Sequence, residues 1–577
     1  MECSYCERTC DIPENTNGYC RMYRNEQGTI QENYPDAYLN IYPVSSESIP
    51  MLHFYPNRIF LLISTIGCNF ACNGCISEFQ TIRPGNLQEI LTHHTPEEIL
   101  AIAKEGDCSG ITFCLNEPSV SLPTFLRVAR AAKANGLLVG CSSNGYMTLE
   151  TVQSLIPYLD FINIGLKGST DSRYRECGAA SAEPVYRNVR MFHNAGIAVE
   201  VSVMYINTRE DEVIGAAKRI RAISPTIPFQ VMRFMATHKE IEEMSPTREQ
   251  GETLCAELRH YVDHVYLFNT IATTELDTRC PVCGAVIVHR IFFGPMAARV
   301  ISIRPEGKCS CGYQYPFRGQ IEPIPEGDRR LLGGYRSIIG AGMIENVLCM
   351  LGITDKTIID RICNKAIAEG YLNTFQDHKG TIDSYIGMIG YVAGLAGREA
   401  QGRHIMDYMQ SVIEDVTAKA AGARRPRVYA VIGSPLLPLY SIMMINTLVE
   451  KAGGHSLNIE IDHNESSNKE FTAGEVSALD PEIIFIMNHF ATTVEDFQKT
   501  CRDLGITCRA LANNAIYITG SEYASGPVGW IIGLMDLANH IHPEIFKYSL
   551  AKERIRLDQV IAASGEGFSQ EGHHAAE

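Results

Sequence analysis

An α/β protein is predicted: a partial (β/α)6 barrel between two cysteine-rich metal modules, followed by a helical segment and a small α/β domain. Three observations carry this. From about residue 58 to 272, short apolar runs alternate with amphipathic stretches through six units. That is the pattern of a parallel sheet with crossover helices, and six units are fewer than the eight of a closed barrel. Cysteine clusters bracket this stretch at 3–20 and 280–311. After the basic run Arg424-Arg425-Pro426-Arg427, which marks a boundary, strand and helix patterns resume. At 577 residues the chain is too long for one core.

In chain order, a four-cysteine module is expected over 1–57 and the barrel over 58–272. A four-cysteine ribbon follows at 273–325, a helical segment at 326–425, an α/β domain at 426–546 and a mobile tail at 547–577. The barrel strands are expected at 60–65, 110–115, 137–142, 161–166, 199–204 and 228–232, each a short apolar run. The helices between them are expected at 96–104, 122–134, 149–159, 185–195 and 210–223. Residues 343–351 place Ile344, Val347, Leu348 and Leu351 on one helix face, and a long helix is expected over 405–421. The last domain has apolar strands at 428–432 and 483–487 and a helix at 530–538. The end of the chain is rich in Gly, Ser, Glu and His, hence the mobile tail. No internal repeat is evident.

The formal net charge is −16, which argues against nucleic acid as the main partner, because phosphate binding needs basic surface. No apolar run approaches the roughly 20 residues that span a bilayer, so no membrane partner is expected. The start, Met1-Glu2-Cys3-Ser4-Tyr5-Cys6, is polar and lacks the apolar core of a signal peptide, so a cytoplasmic setting is expected. In that compartment 20 cysteines read as thiolates, metal ligands and buried thiols rather than disulfides. Accessible clusters are oxygen-labile, so an anaerobic setting is expected.

The chemistry-bearing motif is Gly67-Cys68-Asn69-Phe70-Ala71-Cys72-Asn73-Gly74-Cys75, a C-x3-C-x2-C spacing just after the first barrel strand. Three thiolates on one loop can hold three irons of a [4Fe–4S] cluster and leave the fourth open. Zinc is the alternative, but it usually takes four protein ligands, often as two CxxC pairs. The pattern resembles the radical SAM superfamily. That resemblance implies that the open iron chelates S-adenosylmethionine (SAM), whose cleavage gives methionine and a 5′-deoxyadenosyl radical.

Four more segments of the barrel fit. Leu115-Asn116-Glu117-Pro118-Ser119 ends the second strand, Ser142-Ser143-Asn144-Gly145-Tyr146 the third and Ile164-Gly165-Leu166-Lys167-Gly168 the fourth. Phe229-Gln230-Val231-Met232-Arg233-Phe234 covers the sixth. Polar groups at strand ends can hydrogen-bond a cofactor, which makes Asn116, Glu117, Ser143, Asn144 and Lys167 candidate SAM contacts. Glu117 would pair the SAM ammonium and Lys167 its carboxylate. Each also has a plain reading, since Asn-Gly is usually a turn and a lone Lys is usually solvated.

Residues 1 to about 320 are similar to the radical SAM proteins of the AmmeMemoRadiSam system, relatives of the pyruvate formate-lyase activating enzymes. The likeness rests on Cys3, Cys6, Cys10 and Cys20 followed by Arg21-Met22-Tyr23-Arg24-Asn25, on Asn116-Glu117-Pro118, on Ser143-Asn144-Gly145, and on Cys280-Pro281-Val282-Cys283-Gly284 with Cys309-Ser310-Cys311-Gly312. There are departures. Gly165-Leu166-Lys167 stands for the family's Asp-Leu-Lys, Gln230 for a His, and the second ribbon pair is C-x-C.

Cys280, Cys283, Cys309 and Cys311 read as a tetrahedral ribbon site for zinc or a rubredoxin-like iron. Cys3, Cys6, Cys10 and Cys20 read as a site for zinc or a second [4Fe–4S] cluster. Cys108, Cys114, Cys141 and Cys177 read first as small buried apolar residues, with Cys141 or Cys177 acting in the reaction as the minor alternative. The C-terminal part resembles a truncated periplasmic binding protein of the vitamin B12 and iron-siderophore type. The matching segments are 348–356, 395–421, Lys451-Ala452-Gly453-Gly454, Asp480-Pro481-Glu482 and 540–546. His489, His542, Tyr440 and Trp530 are then possible ligand contacts, with plain packing the simpler reading for each.

The function expected is a SAM-dependent radical enzyme whose substrate is bound partly by the C-terminal domain. A corrinoid or tetrapyrrole precursor is the candidate substrate, and a ferredoxin or flavodoxin the candidate reductant. The alternatives are an activase that places a radical on a partner protein, and a non-enzymatic iron–sulfur or metal-cofactor carrier.

Overall fold

The computed structural model describes residues 1–72, 75–77, 81, 91–234, 243–270, 273–292, 296–304, 308–322, 336–369, 371, 381–439, 444–461, 471–487, 493–519 and 526–566. The chain divides into two compact units, Met1–Ile338 and Ile339–Glu577.

The first unit is organised by an eight-stranded sheet rather than six strands. Its spatial order is Val265–Phe268, Phe229–Arg233, Ala198–Tyr205, Phe161–Leu166, Leu138–Ser143, Gly110–Phe113, Ile59–Ser64 and Asn40–Ser45. The first seven are parallel in register, and Asn40–Ser45 runs antiparallel along Ile59–Ser64. The expected barrel thus gains a seventh parallel strand at one edge and an antiparallel strand from the N-terminal module at the other. Pro43 lies in that edge strand, where its missing N–H costs no ladder bond.

Among the described residues, six helices with one buried face cover the sheet. Pro96–Glu105 starts with a capping box from Thr95 and Glu98. Leu122–Ala134 buries Phe125, Val128, Ala129 and Ala132. Leu149–Leu155 is shorter than the 149–159 expected, and Glu183–Asn194, Glu210–Arg221 and Arg248–Leu258 complete the set. The core they close includes Leu61, Ile63, Ile111, Phe113, Ile162, Val201 and Val231.

One end of the sheet is plugged. Glu200 accepts hydrogen bonds from the backbone N–H of Leu52 and His53 and from the side chain of Gln230. Asn163 donates to Pro50 and Gln230, and Arg290 donates to Thr278 and Leu52 and lies 3.5 Å from Glu47. Burial pushes the Glu200 carboxyl up to about 7.

After the sheet, Thr278–Arg279, Val286–Phe292 and Ala298–Ile303 form the three-stranded ribbon that carries the last cysteine set.

The second unit holds a parallel four-stranded sheet in the order His455–Ser456, Arg427–Val431, Ile483–Met487, Ile516–Thr519. Helices Ile382–Leu395, Glu399–Ala420 and Gly526–Ile541 pack together beside it. The stretch read as a mobile tail contains the helix Leu550–Glu566, which packs on Glu399–Ala420 and buries Leu557. Among the described residues no helix is long and apolar enough to cross a membrane.

Candidate functional site

The strand Ile59–Ser64 delivers the cysteine loop to the end of the sheet opposite the plug. Gly67 makes the turn at φ +84°, where a side chain would meet Met22 at 2.7 Å. Asn116 holds this turn in place. It accepts from the Thr65 N–H and donates to Thr65 Oγ1, Ile66 O and Gly67 O. Phe70 anchors the far side of the loop against the rings of Tyr146 and Tyr174.

Cys68, Cys72 and Cys75 therefore sit on one loop, each partly screened from solvent. The Phe70 N–H points at the Cys68 sulfur at 3.3 Å, and the Asn144 amide reaches it at 3.7 Å. Burial raises the pKa of Cys68 and Cys75, so as free thiols they hold their protons, and a bound cation is what would draw thiolates here. Half-buried Lys167 supplies positive charge beside them. Burial lowers its pKa, and thiolate charge on Cys72, Cys177, Cys75 and Cys68 more than reverses this, so its ammonium is held once these thiols ionise.

Glu117 is also engaged within the protein. Its carboxylate accepts from Ser119 N, Ser143 Oγ and Asn144 N. Ser143 also accepts from the Gly145 N–H, and Asn144 donates to Asn69 at 2.6 Å. These three residues knit the ends of neighbouring strands and orient the amide that faces Cys68. Gln230 is at the plugged end, away from the loop, because it is the second residue of its strand.

Cys177 was not singled out by spacing, yet it joins the site. It lies within hydrogen-bonding reach of Cys72, and its carbonyl accepts from the Ala71 N–H at 3.0 Å. The contact with Cys72, aided by Lys167 and Arg173, draws the Cys177 thiol below its usual range, to about 6. It arrives from the end of the short helix Asp171–Glu176, so no local motif could have announced it.

The ribbon cysteines are arranged differently. Cys280 and Cys311 sulfurs are 3.5 Å apart, those of Cys283 and Cys309 are 3.4 Å apart, and all four lie within 4.8 Å of one another. Ligation of one ion at about 2.3 Å in a tetrahedron requires sulfurs at about this spacing. Despite the C-x-C departure, both knuckles close alike. Cys280 N bonds Ala285 O and Cys309 N bonds Tyr313 O, both at 2.8 Å, with Gly284 and Gly312 at positive φ. Cys3, Cys6, Cys10 and Cys20 line one cavity of their own.

In the second unit, Trp530 is fully buried. His542 is packed against the Gly453 turn, with Nε2 3.2 Å from Gly453 O. Tyr440 and His489 lie outside the described residues.

Residues 62–219 match the family model of the Radical SAM superfamily, so the chain carries a radical SAM domain and is an enzyme. That domain implies a [4Fe–4S] cluster, SAM and a reductant. An uncharacterized protein of Methanocaldococcus jannaschii is 28% identical over 323 residues, which is 53% of this chain and 92% of that protein. Among solved structures, an ABC transporter solute binding protein from Sulfurospirillum deleyianum aligns at TM-score 0.26 and 16% identity, over 32% of this chain and 58% of that one. Helicobacter pylori CeuE with Ni(II) bound aligns at TM-score 0.26 and 18% identity, over 32% and 63%. The chain thus spans little more than half the length of these binding proteins, and at such scores the second unit's fold rests on its own topology.

Proposed function

We propose that this enzyme cleaves SAM at a [4Fe–4S] cluster held by Cys68, Cys72 and Cys75, and modifies a substrate bound partly by the second unit. The observation that carries the reading is the loop itself. Three cysteines lie at the end of the sheet opposite the plug, within a stretch that matches the radical SAM model, and their sulfurs are not drawn into the tight set that zinc takes. When bound, the cluster supplies one electron to the sulfonium of SAM, and the products are methionine and a 5′-deoxyadenosyl radical.

The chain's own residues do the rest. Asn116 fixes the turn before Cys68. The Glu117–Ser143–Asn144 set aims an amide N–H at the Cys68 sulfur. Lys167 balances thiolate charge and remains positive for a carboxylate. Glu117 orients Asn144 through its backbone N–H, and its two oxygens keep acceptor capacity for the SAM ammonium. The zinc or iron of the ribbon serves folding. A corrinoid or tetrapyrrole precursor remains the proposed substrate class, and the proposed compartment is the cytoplasm.

The test is anaerobic reduction of the iron-loaded protein in the presence of SAM, with 5′-deoxyadenosine and methionine measured together. Equimolar appearance of both is expected. Iron-loaded, reducible protein that yields neither would sink the reading.

A further inference from the structure

The N-terminal cysteines are not gathered as tightly as the ribbon cysteines. Cys3, Cys6, Cys10 and Cys20 surround a single cavity whose other walls include Arg8 and Asn69 and contain no carboxylate or imidazole. Four thiols are thus the whole ligand set. Among the described residues, only the ribbon cysteines form a group of three or more candidate ligands whose atoms all lie within 4.8 Å. All four N-terminal cysteines are described, so no three of them are drawn that close. One zinc ion would need them to be. A cuboidal cluster binds each thiolate through a different iron and needs the wider setting. Cys68, Cys72 and Cys75 likewise form no such close group.

The two wide sets are also joined. Cys6 lies within hydrogen-bonding reach of the Asn69 side chain. Asn69 Oδ1 accepts from Asn144 Nδ2 at 2.6 Å, and the same Nδ2 reaches the Cys68 sulfur at 3.7 Å. Arg8 donates to Asn69 O at 2.5 Å, and Cys6 bridges to Met147 just after the Asn144 turn. A Cβ on Gly67 would lie 3.4 Å from the carbonyl of Cys20. Asn69 therefore stands between the cavity and the radical SAM loop, with a polar contact on either side.

We propose that Cys3, Cys6, Cys10 and Cys20 hold a second [4Fe–4S] cluster, and that Asn69 couples it to the site on Cys68, Cys72 and Cys75. The second cluster takes one electron from a low-potential one-electron donor of ferredoxin or flavodoxin type, passing from the 2+ to the 1+ state. It returns to 2+ when it hands that electron on. No protein bond is made or broken. The coupling, unlike the cluster assignment, rests on the radical SAM reading above.

The experiment is to measure iron, acid-labile sulfide and zinc, with Mössbauer and EPR spectra, on the anaerobically reconstituted full chain and its variants. The unaltered chain should show two cubane clusters, so the assignment can be judged even if a variant fails to fold. The Cys68→Ala, Cys72→Ala, Cys75→Ala variant should lose half of the sulfide and keep one cubane cluster. The Cys6→Ser, Cys20→Ser variant should lose the other half and keep the cluster whose EPR signal shifts on adding SAM. A single cubane cluster in the unaltered chain, or zinc in place of sulfide in the triple variant, would overturn the assignment. Asn69→Leu should keep both clusters but slow the arrival of electrons at the SAM-binding cluster about tenfold, read as the rate at which its EPR signal grows under a limiting low-potential donor. An unchanged rate would overturn the coupling. If the triple variant kept its cubane cluster and still made 5′-deoxyadenosine, the radical SAM site would be misplaced while the second cluster stood.

Discussion

The two ends of the eight-stranded sheet are both polar and both buried, yet they are built for opposite ends. At the plugged end Glu200, Gln230, Asn163, Arg290 and Glu47 spend their polar atoms on one another and on the backbone of residues 50–53. At the other end Asn116, Glu117, Ser143 and Asn144 spend theirs on positioning three thiols and one half-buried lysine. Polar residues in a parallel sheet are thus not evidence of function in themselves. What separates the ends is whether the network closes on itself or leaves reactive groups facing an open position.

The largest effect should come from the open end. Replacing Cys68, Cys72 and Cys75 together by Ala should abolish 5′-deoxyadenosine formation down to the protein-free background, with little change in the melting temperature of the metal-free protein. A triple variant that still cleaves SAM would erase the distinction between the ends. At the closed end Arg290→Met should behave in the opposite way. It leaves buried Glu47 with only the Asn57 N–H and the Ser46 hydroxyl as donors and no cation, so a loss of roughly 3–5 kcal/mol is expected in denaturant titration. SAM cleavage per folded molecule should stay near normal. A fully stable Arg290→Met protein would show that the plug contributes nothing.

Much of this architecture was legible in the chain. The strand Phe161–Leu166 falls where the apolar run places it, and the cysteine loop follows its strand as the spacing requires. What was hidden has physical reasons. Asn40–Ser45 contains Pro43, which argues against a strand unless the edge position is known. Val265–Phe268 is only four residues long and lies soon after a helix. In the helix Leu550–Glu566 the one buried side chain among the described residues, Leu557, depends on a partner helix that no local window contains. Gln230, which stands where the related family has a His, is assigned to the plug by its position as the second residue of its strand. Cys177 reaches Cys72 only through the fold.

Between these extremes lies Asn116, which acts at the open end without holding metal. Asn116→Ala removes one acceptor and three donated contacts from a buried turn, an expected cost of about 1–3 kcal/mol. The loop would shift rather than unfold, and the rate of SAM cleavage should fall about 10- to 100-fold. Unchanged cleavage with reduced stability would move Asn116 from the reactive end to the purely structural class.

The subtlest test uses pH. Glu200 is buried at the closed end, and burial raises its carboxyl to about 7 from an ordinary 4.5, against the lowering effects of the Leu52 and His53 N–H groups, Arg290 and Gln230. Because the folded value lies above the unfolded one, its contribution to stability is full below about 4.5 and is lost as pH rises through about 7. The swing is on the order of 3 kcal/mol over that window. Neighbouring His53 is held well below its usual range and His264 at about 4, both by burial first, so neither changes charge between pH 5 and 8. Glu200→Gln stays neutral throughout. It should cost a constant amount, because an amide replaces one accepting oxygen with a donor, but it should remove this slope. Denaturant midpoints measured from pH 5 to 8 should therefore converge, the variant gaining on the parent as pH rises. Parallel curves would mean that Glu200 is ionised over the whole window, held there by Arg290, and that the closed end is a charge pair rather than a neutral hydrogen-bonded plug.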